Sequence, residues 1–391
     1  MDTVIIKIYG PGKFKIGYKQ RFLPEIVRRE YTELSDTEKQ SNRHYLRRFV
    51  LKAPAQDTYL PKVDVLETLD KERKEVLYVL IAEFSLPKLL YGNSLQEVSD
   101  KNLGEALTVL QKSLSSVGII VEANVIANAR VSGVHFCKNV ILPRDIRLQD
   151  ILAELQQVDI NKTVDITTKE NKNGGQVLHI YSGTVERVFY DKIADAMRPK
   201  VKRKDKGKIV GERSIVEKYG LENQEVFRFE YRIKKTQAVQ RDINAVLDRK
   251  PKTYVAFRDL FSDNLSKTIL LKSWHTLVQR PENQLALIGP TDDFKLLLHI
   301  AEEARKKGEV HSMNRAFISY GLTCIIKDRG VKELRKLVAS CWSPSHPERL
   351  TKKIREASEL TKNLPYSNGI AFVDEALDRF ELITRSSLEK R

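Results

Sequence analysis

The segment Val188-Phe-Tyr-Asp-Lys192 closes a run of β-branched and aromatic residues, and its tyrosine is the first candidate for chemistry. A phenol with a pKa of ~10 attacks phosphorus at neutral pH only where a cation or a base holds the phenolate. Lys192 lies two residues beyond Tyr190, on the same side of an extended chain. The pair is therefore a candidate nucleophile with its activating cation. A strand-end tyrosine whose hydroxyl simply reaches water has the same sequence.

Phe227-Arg-Phe-Glu-Tyr-Arg-Ile-Lys234 is the second candidate. Its odd positions are apolar and its even ones charged, the alternation of a strand with one buried face. Glu230 stands between Arg228 and Arg232 on the polar face, with Lys234 beyond. A hard cation such as Mg²⁺ or Mn²⁺ takes oxygen ligands, and flanking arginines suit phosphate. Glu83 and Asp191 complete a metal site if their strands adjoin this one; ion pairing along a solvated face accounts for the same pattern. In Val134-His-Phe-Cys-Lys-Asn139, His135 shares a strand face with Cys137 and Asn139 and could ligate a cation or contact phosphate, and Lys138 adds positive charge. A structural histidine is the alternative. The run Arg198 to Lys208, with Lys202, Arg203 and Lys204 at its centre, reads as an exposed loop able to track a nucleic-acid backbone.

The whole chain supports a polyanionic partner. Its 391 residues hold 68 Lys and Arg against 52 Asp and Glu, a net charge of +16. Each phosphate neutralised by Lys or Arg releases condensed counterion. With 41% hydrophobic and 31% charged residues the composition is that of a globular protein and excludes a mainly disordered chain. Three cysteines at unrelated spacings support neither a disulfide framework nor a CxxC zinc site. No phosphate-cradling G-x-x-x-x-G-K-[ST], H-E-x-x-H or G-x-S-x-G is present, and no His-hydrophobic-His pair. No apolar run approaches the ~20 residues of a membrane span, and an acid follows Met1 where a signal peptide carries positive charge. The expected location is cytoplasmic, away from membranes.

These residues need a scaffold, and the patterning predicts one. Residues 3 to 9 and 13 to 18, either side of Gly10-Pro-Gly12, read as an N-terminal hairpin. Val76 to Phe84 suits a strand covered on both faces. Leucines from Leu103 to Leu114 recur at helical spacing, as do Leu148 to Val158. Ile119 to Val125 and Val131 to Leu142 read as extended, and Gln176 to Lys192 as a hairpin turning at Ser182-Gly183. The pattern predicts an α+β domain over residues 1–248, a mostly antiparallel sheet with helices on one face. A mainly helical domain over 249–391 follows. Its segments at Gly330 to Val338 and Arg349 to Leu360 read as a plain bundle or, less simply, as a helix-turn-helix-like DNA reader.

Taken in order, Phe84-Ser-Leu-Pro-Lys-Leu-Leu-Tyr-Gly-Asn93, a Leu-rich helix, Arg130-Val-Ser-Gly-Val-His-Phe136, Arg187-Val-Phe-Tyr-Asp-Lys192 and Phe227 to Lys234 resemble the replication-associated gene II protein family of filamentous phages. Plasmid rolling-circle initiators are similar more distantly. The resemblance covers roughly residues 1 to 280. It implies a replication-initiator nuclease fold and a site-specific, metal-dependent nicking and joining enzyme that cuts one strand of a supercoiled replicon at its origin, where a single-stranded region is exposed. Tyr190 would then become 5′-phosphotyrosyl-linked, Glu230 would belong to the metal set, and Lys88 and Asn93 would belong to a family motif beside the DNA. Host helicase and polymerase are the implied partners. Related proteins carry Arg-Ile-Asp where this chain has Arg130-Val-Ser132, so His135 would have to replace a lost carboxylate. Tyr181 and Tyr219 are candidates for a second tyrosine. A non-catalytic DNA-binding regulator on the same fold, and an RNA-binding protein, are the competing readings.

Overall fold

A computed structural model describes residues 1–10, 12–17, 22–27, 45–51, 59–70, 75–158, 165–170, 176–198, 206–308, 312–341 and 346–389. Lys202, Arg203 and Lys204 lie outside the described residues.

The strands are β1 (Thr3–Tyr9), β2 (Phe14–Ile16), β3 (Phe22–Val27), β4 (Tyr45–Leu51), β5 (Lys62–Asp70), β6 (Glu75–Ser85), β7 (Ile119–Val121), β8 (Arg130–Ile141), β9 (Asp165–Glu170), β10 (Gln176–Ser182), β11 (Val185–Asp191) and β12 (Val226–Ile233). All but β2 and β7 form one sheet, ordered β3-β4-β5-β6-β1-β8-β12-β11-β10-β9, in which every neighbouring pair is antiparallel. The expected N-terminal hairpin does not form. β1 is inserted between β6 and β8, where its buried Val4 and Ile6 meet apolar partners on both sides and Ile8 meets Leu80 of β6, and β2 pairs with β7 instead. The β10–β11 hairpin is present, with Gly183 and Thr184 in the turn.

Helices α1 (Leu86–Tyr91), α2 (Leu103–Ser116), α3 (Ala123–Ala127) and α4 (Leu148–Gln156) occupy the connections, α3 replacing the end of the extended segment expected at Ile119 to Val125. Then come α5 (Lys192–Met197) and α6 (Lys206–Lys218), so the basic run expected as loop is helical from Lys206. Helices lie on both faces of the sheet rather than one. Ile193 and Ala196 of α5 and Val216 of α6 form an apolar cluster with Leu95 and Val226 on the face that carries Glu230.

The opposite face holds the main core. Phe227, Phe229 and Ile233 are fully buried there, beneath α7 (Thr236–Val246) and α8 (Leu265–Val278). The Trp274 ring lies 6.4, 6.4 and 6.2 Å from those of Phe189, Phe227 and Phe229. Burying an aromatic side chain of this size removes about 150–250 Å² from water, worth about 4–6 kcal/mol at ~25 cal/mol/Å².

The remaining helices are α9 (Pro281–Leu287), α10 (Asp293–Lys306), α11 (Ser312–Cys341), α12 (His346–Thr361), α13 (Asn368–Arg379) and α14 (Arg385–Glu389). α9 to α12 pack on one another through clusters that include Leu285, Ile326, Val331 and Ile354, and through Leu296 and Leu360, as a helical bundle. The apolar cores do not divide at the expected boundary of 248. α8 and α13 contribute Trp274, Ile370, Val373 and Leu377 to the sheet's own core, so the bundle is a unit inserted between Val278 and Asn368. No helix among the described residues is long and apolar enough to cross a membrane.

Candidate active site

Alternation along two adjacent antiparallel strands places Tyr190 and Glu230 on one face. Tyr190 of β11 is opposite Arg228 of β12, and Val188 is opposite Glu230, so all four point away from Trp274. The Tyr190 hydroxyl donates to Glu230 Oε1 at 2.7 Å. Arg228 Nε donates to the same oxygen at 2.6 Å, and Arg232 reaches Oε2 through Nε at 2.7 Å and Nη2 at 2.6 Å. Burial alone pushes the Glu230 carboxyl up, but the guanidiniums of Arg228 and Arg232 outweigh it and hold the group well below the usual carboxylate range. Burial raises the Tyr190 phenol well above 10, and the Glu230 charge adds to the rise while Arg228 opposes it. The shared proton therefore sits on the tyrosine.

Arg228 is the hub of this layer. It is fully buried, and besides Glu230 it donates to the Ser94 carbonyl at 2.8 Å, Asn139 Oδ1 at 3.1 Å and Asp2 Oδ2 at 2.6 Å. Ser85 donates to the other Asp2 oxygen at 2.5 Å. With its donors engaged, Arg228 is not the exposed phosphate contact expected from sequence. The alternation of charge in β12 looked like a solvated face because nothing in its own strand reveals that Asp2, Ser94 and Asn139 will cover it.

Lys192 also has a different partner from the one expected. It opens α5 instead of continuing the strand, and its ammonium donates to Glu212 Oε2 at 2.5 Å rather than reaching the Tyr190 hydroxyl. Lys88 joins Glu212 Oε1 at 2.8 Å, and the Ser94 hydroxyl donates to that oxygen at 2.5 Å. Burial raises the Glu212 carboxyl, yet the two lysines draw it well below the ordinary range. Ser94 thus ties the two buried networks together, its carbonyl on Arg228 and its hydroxyl on Glu212.

Asn93 and Lys138 are internal supports, not DNA contacts. The Asn93 amide builds its own turn, accepting from Leu95 N and Gln96 N at 3.0 Å each and donating to the Tyr91 carbonyl and Gln96. Lys138 points to the Trp274 side of the sheet, donates to Glu97 Oε2 and the Glu381 carbonyl at 2.6 Å each, and is buried. Glu97 was invisible in the sequence as a site residue. It also accepts from Asn139 N at 2.6 Å and Ile383 N at 3.0 Å, fastening the C-terminal segment to the strand beside the site.

The expected metal set does not converge. Glu83 is on β6, separated from β12 by β1 and β8, and pairs with Lys62 at 3.5 Å. Asp191 is on the adjacent strand but faces the other way, and its carboxylate caps α5 by accepting from Ile193 N and Ala194 N. His135 does share the face, opposite Arg232, where burial and Arg232 lower its pKa against the pull of Glu230. Glu230 itself is ringed by two guanidiniums and a phenol. Among the described residues no three His, Cys, Asp or Glu side chains are grouped to hold a metal ion. This donor arrangement does not fit a divalent cation.

At the solvent edge the network opens onto cations. Arg232 is 25% exposed, and Lys234, more exposed still, pairs with Glu186 at 2.7 Å. Burial raises Glu186, but Lys234, His179 and Arg232 bring its pKa down to about 2. Arg232 joins this cluster to Glu230. Comparison with protein-family models, with curated proteins and with solved structures finds no match to the chain.

Proposed function

We propose that the chain is a rolling-circle replication initiator that nicks and rejoins one DNA strand through Tyr190. The observation that carries the reading is the 2.7 Å hydrogen bond from Tyr190 Oη to Glu230 Oε1, a nucleophile and a proton acceptor within transfer distance. At rest the arginines keep Glu230 too weakly basic to take the proton. A phosphate that draws Arg232 toward itself removes one of the two charges depressing Glu230 and raises its proton affinity where the nucleophile is needed. Tyr190 Oη then bonds to phosphorus as its proton passes to Glu230, and the bond to the 3′ oxygen breaks, the departing oxygen taking a proton from water. The products are a 5′-phosphotyrosyl ester and a 3′-hydroxyl that a polymerase can extend. The ester conserves the bond energy, so attack by a 3′-hydroxyl reverses the step without ATP. The +16 charge supplies the general attraction for DNA.

The test incubates wild type and Tyr190→Phe with the supercoiled replicon that encodes the protein, in Mg²⁺ or Mn²⁺ as the resemblance implies, then denatures. Protein attached to a nicked 5′ end in wild type alone is the expected result. The burial of Tyr190, only 9% exposed, favours a second reading, a DNA-binding replication or regulatory protein without cleavage. In that case both proteins bind and neither nicks. Equal nicking by both would move the reaction to another tyrosine, with Tyr181, 40% exposed, first in line.

A further inference from the structure

A second cleft lies on the sheet at the far end of β1. Its volume is about 260 Å³, and Lys7, Tyr9, Lys13, Asn124, Asn128 and Tyr254 line it. Both tyrosines present large surfaces to solvent, Tyr9 at 43% and Tyr254 at 46% exposed. Neither ring needs that exposure for the fold, since an aromatic side chain gains most when covered. Tyr254 is nevertheless held in place. Its hydroxyl donates to the Asn128 carbonyl, and its loop is zipped to the start of β8 by Val131 N to the Val255 carbonyl at 3.0 Å and Phe257 N to the Ala129 carbonyl at 2.9 Å.

Positive charge is concentrated at the same place. Lys7 is directly opposite Arg130 in the β1–β8 register, an arrangement of like charges that costs stability across a strand pair. Arg130 Nε is buried and finds no hydrogen-bond partner among the described residues. Lys13 stands exposed on the turn above. Cations beside immobilised, exposed aromatic rings are the features by which proteins hold single-stranded nucleic acid, backbone on charge and base on ring.

The cleft and the Tyr190 site are on one face of the sheet. Ile5 and Lys7 share a face of β1 by alternation, Ile5 is opposite Gly133, and His135 is two residues further along β8, opposite Arg232. Asp2 N donates to the His135 carbonyl, which places His135 beside the start of β1. Tyr190 is opposite Arg228, which is opposite Asn139, and Lys7 is opposite Arg130, so the two sites are nine residues apart along β8, roughly 30 Å at ~3.4 Å per residue. A single strand held at both must extend over that distance.

We propose that this cleft is a subsite for single-stranded DNA, in which Tyr9 and Tyr254 stack on a base while Lys7, Lys13 and Arg130 neutralise the adjoining phosphates. The proposal rests on the DNA reading of the Tyr190 site and assigns it a second point of attachment. The chemistry that fits is an unpaired base, because a duplex offers no free ring face to the tyrosines.

The experiment measures binding of a fluorescein-labelled fifteen-residue oligothymidylate by anisotropy, with full-length wild type, Tyr9→Ala, Tyr9→Phe, Tyr254→Ala, Lys7→Gln and Tyr190→Phe. Each alanine variant should bind about tenfold more weakly, with Tyr9→Phe retaining wild-type affinity because the ring remains. Lys7→Gln should reduce the slope of log affinity against log salt by about 0.7, one phosphate contact on a single strand. The phenylalanine control separates lost stacking from lost fold. Wild-type affinity in both alanine variants, with binding otherwise intact, would overturn the subsite and leave the Tyr190 reading standing. No binding by wild type would overturn both.

Discussion

The Tyr190 hydroxyl and the Arg228 guanidinium converge on one oxygen, Glu230 Oε1, at 2.7 and 2.6 Å. Two substitutions of this unit should differ sharply in cost. Removing the hydroxyl with Tyr190→Phe forfeits one buried hydrogen bond and should lower stability by about 1 kcal/mol. Removing the charge with Glu230→Gln leaves Arg228 with Asp2 and Arg232 with the more distant Glu186 as their remaining carboxylate partners in a buried layer, which should cost up to about 3–5 kcal/mol. Urea denaturation of the two variants checks the ordering, and equal midpoints would show that the carboxylate is not what holds the arginines.

The same carboxylates set the acid limit of the fold. Glu230 and Glu212 have folded pKa values well below the unfolded value near 4.5, and Glu186 lies at about 2. A depressed carboxyl stabilises the folded state above its unfolded pKa, and that contribution fades as pH falls through the folded value. The loss from these carboxylates should therefore begin near pH 5 and steepen below pH 4.5, after an earlier decline below about pH 6.5 from His135, whose folded pKa is lowered by burial. Tyr190 acts at the other end. Its folded pKa lies above the unfolded 10, so its contribution is complete below pH 10 and declines above it. Urea midpoints measured from pH 3 to 11 should show both flanks, and Glu212→Gln should flatten the acid one.

Much of this layer was legible in the sequence, but not its roles. The strands carrying Tyr190 and Glu230 stood out because alternation of apolar and charged residues survives in any context. Motifs at Phe84 to Asn93, Arg187 to Lys192 and Phe227 to Lys234 do meet at one place, through Ser94, Glu212 and Arg228. What local pattern did not contain was the cover. Charged residues at β12's even positions read as solvent-facing, whereas α5, α6 and the segment from Asn93 to Glu97 bury Arg228 and Glu230. Lys192 was placed by strand periodicity, and the chain turned helical at that residue because Asp191 caps it. The insertion of β1 between β6 and β8 was hidden for a related reason, since pairing between residues far apart in sequence leaves no mark on spacing.

Cysteine reactivity gives an independent reading of this burial. Cys137 lies beside Glu230 in register, and burial pushes its thiol up to about 11. Cys341 is exposed and Cys324 is partly so. Thiolate is the reactive form, so an aromatic disulfide reagent at pH 8 should modify Cys341 first and leave Cys137 untouched until the protein unfolds. Mass spectrometry of the labelled peptides against time resolves the order, and early labelling of Cys137 would mean that the layer over Glu230 opens readily.

The break in α11 is a backbone requirement. Gly330 has φ +78° and ψ 158°, and a Cβ there would lie 3.0 Å from the Gln157 carbonyl oxygen. Gly330→Ala combines a strained conformation with a backbone clash and should lower stability by about 1–3 kcal/mol. Gly321, within the same helix and with open space around its Cβ position, is the control. Gly321→Ala should raise stability by about 0.5–1 kcal/mol through helix propensity. Thermal unfolding of the pair gives opposite signs if the two positions differ as described.

The C-terminal segment should support the site from a distance. Ile383 and Leu388 pack on Leu95, Ile193 and Val226, and Ile383 N and the Glu381 carbonyl engage Glu97 and Lys138. Leu95 follows Ser94, whose carbonyl positions Arg228. Truncation after Phe380 removes two buried apolar side chains at about 1.5–3 kcal/mol each and should therefore cost roughly 3–6 kcal/mol in total. It should also loosen the loop that fixes Arg228, an effect seen as faster amide exchange at Leu95 and Gln96, whereas exchange in the bundle helices α10 and α12 stays unchanged because those helices pack in other clusters. Uniformly faster exchange across the molecule would show instead that the segment stabilises the whole fold and has no particular hold on the site.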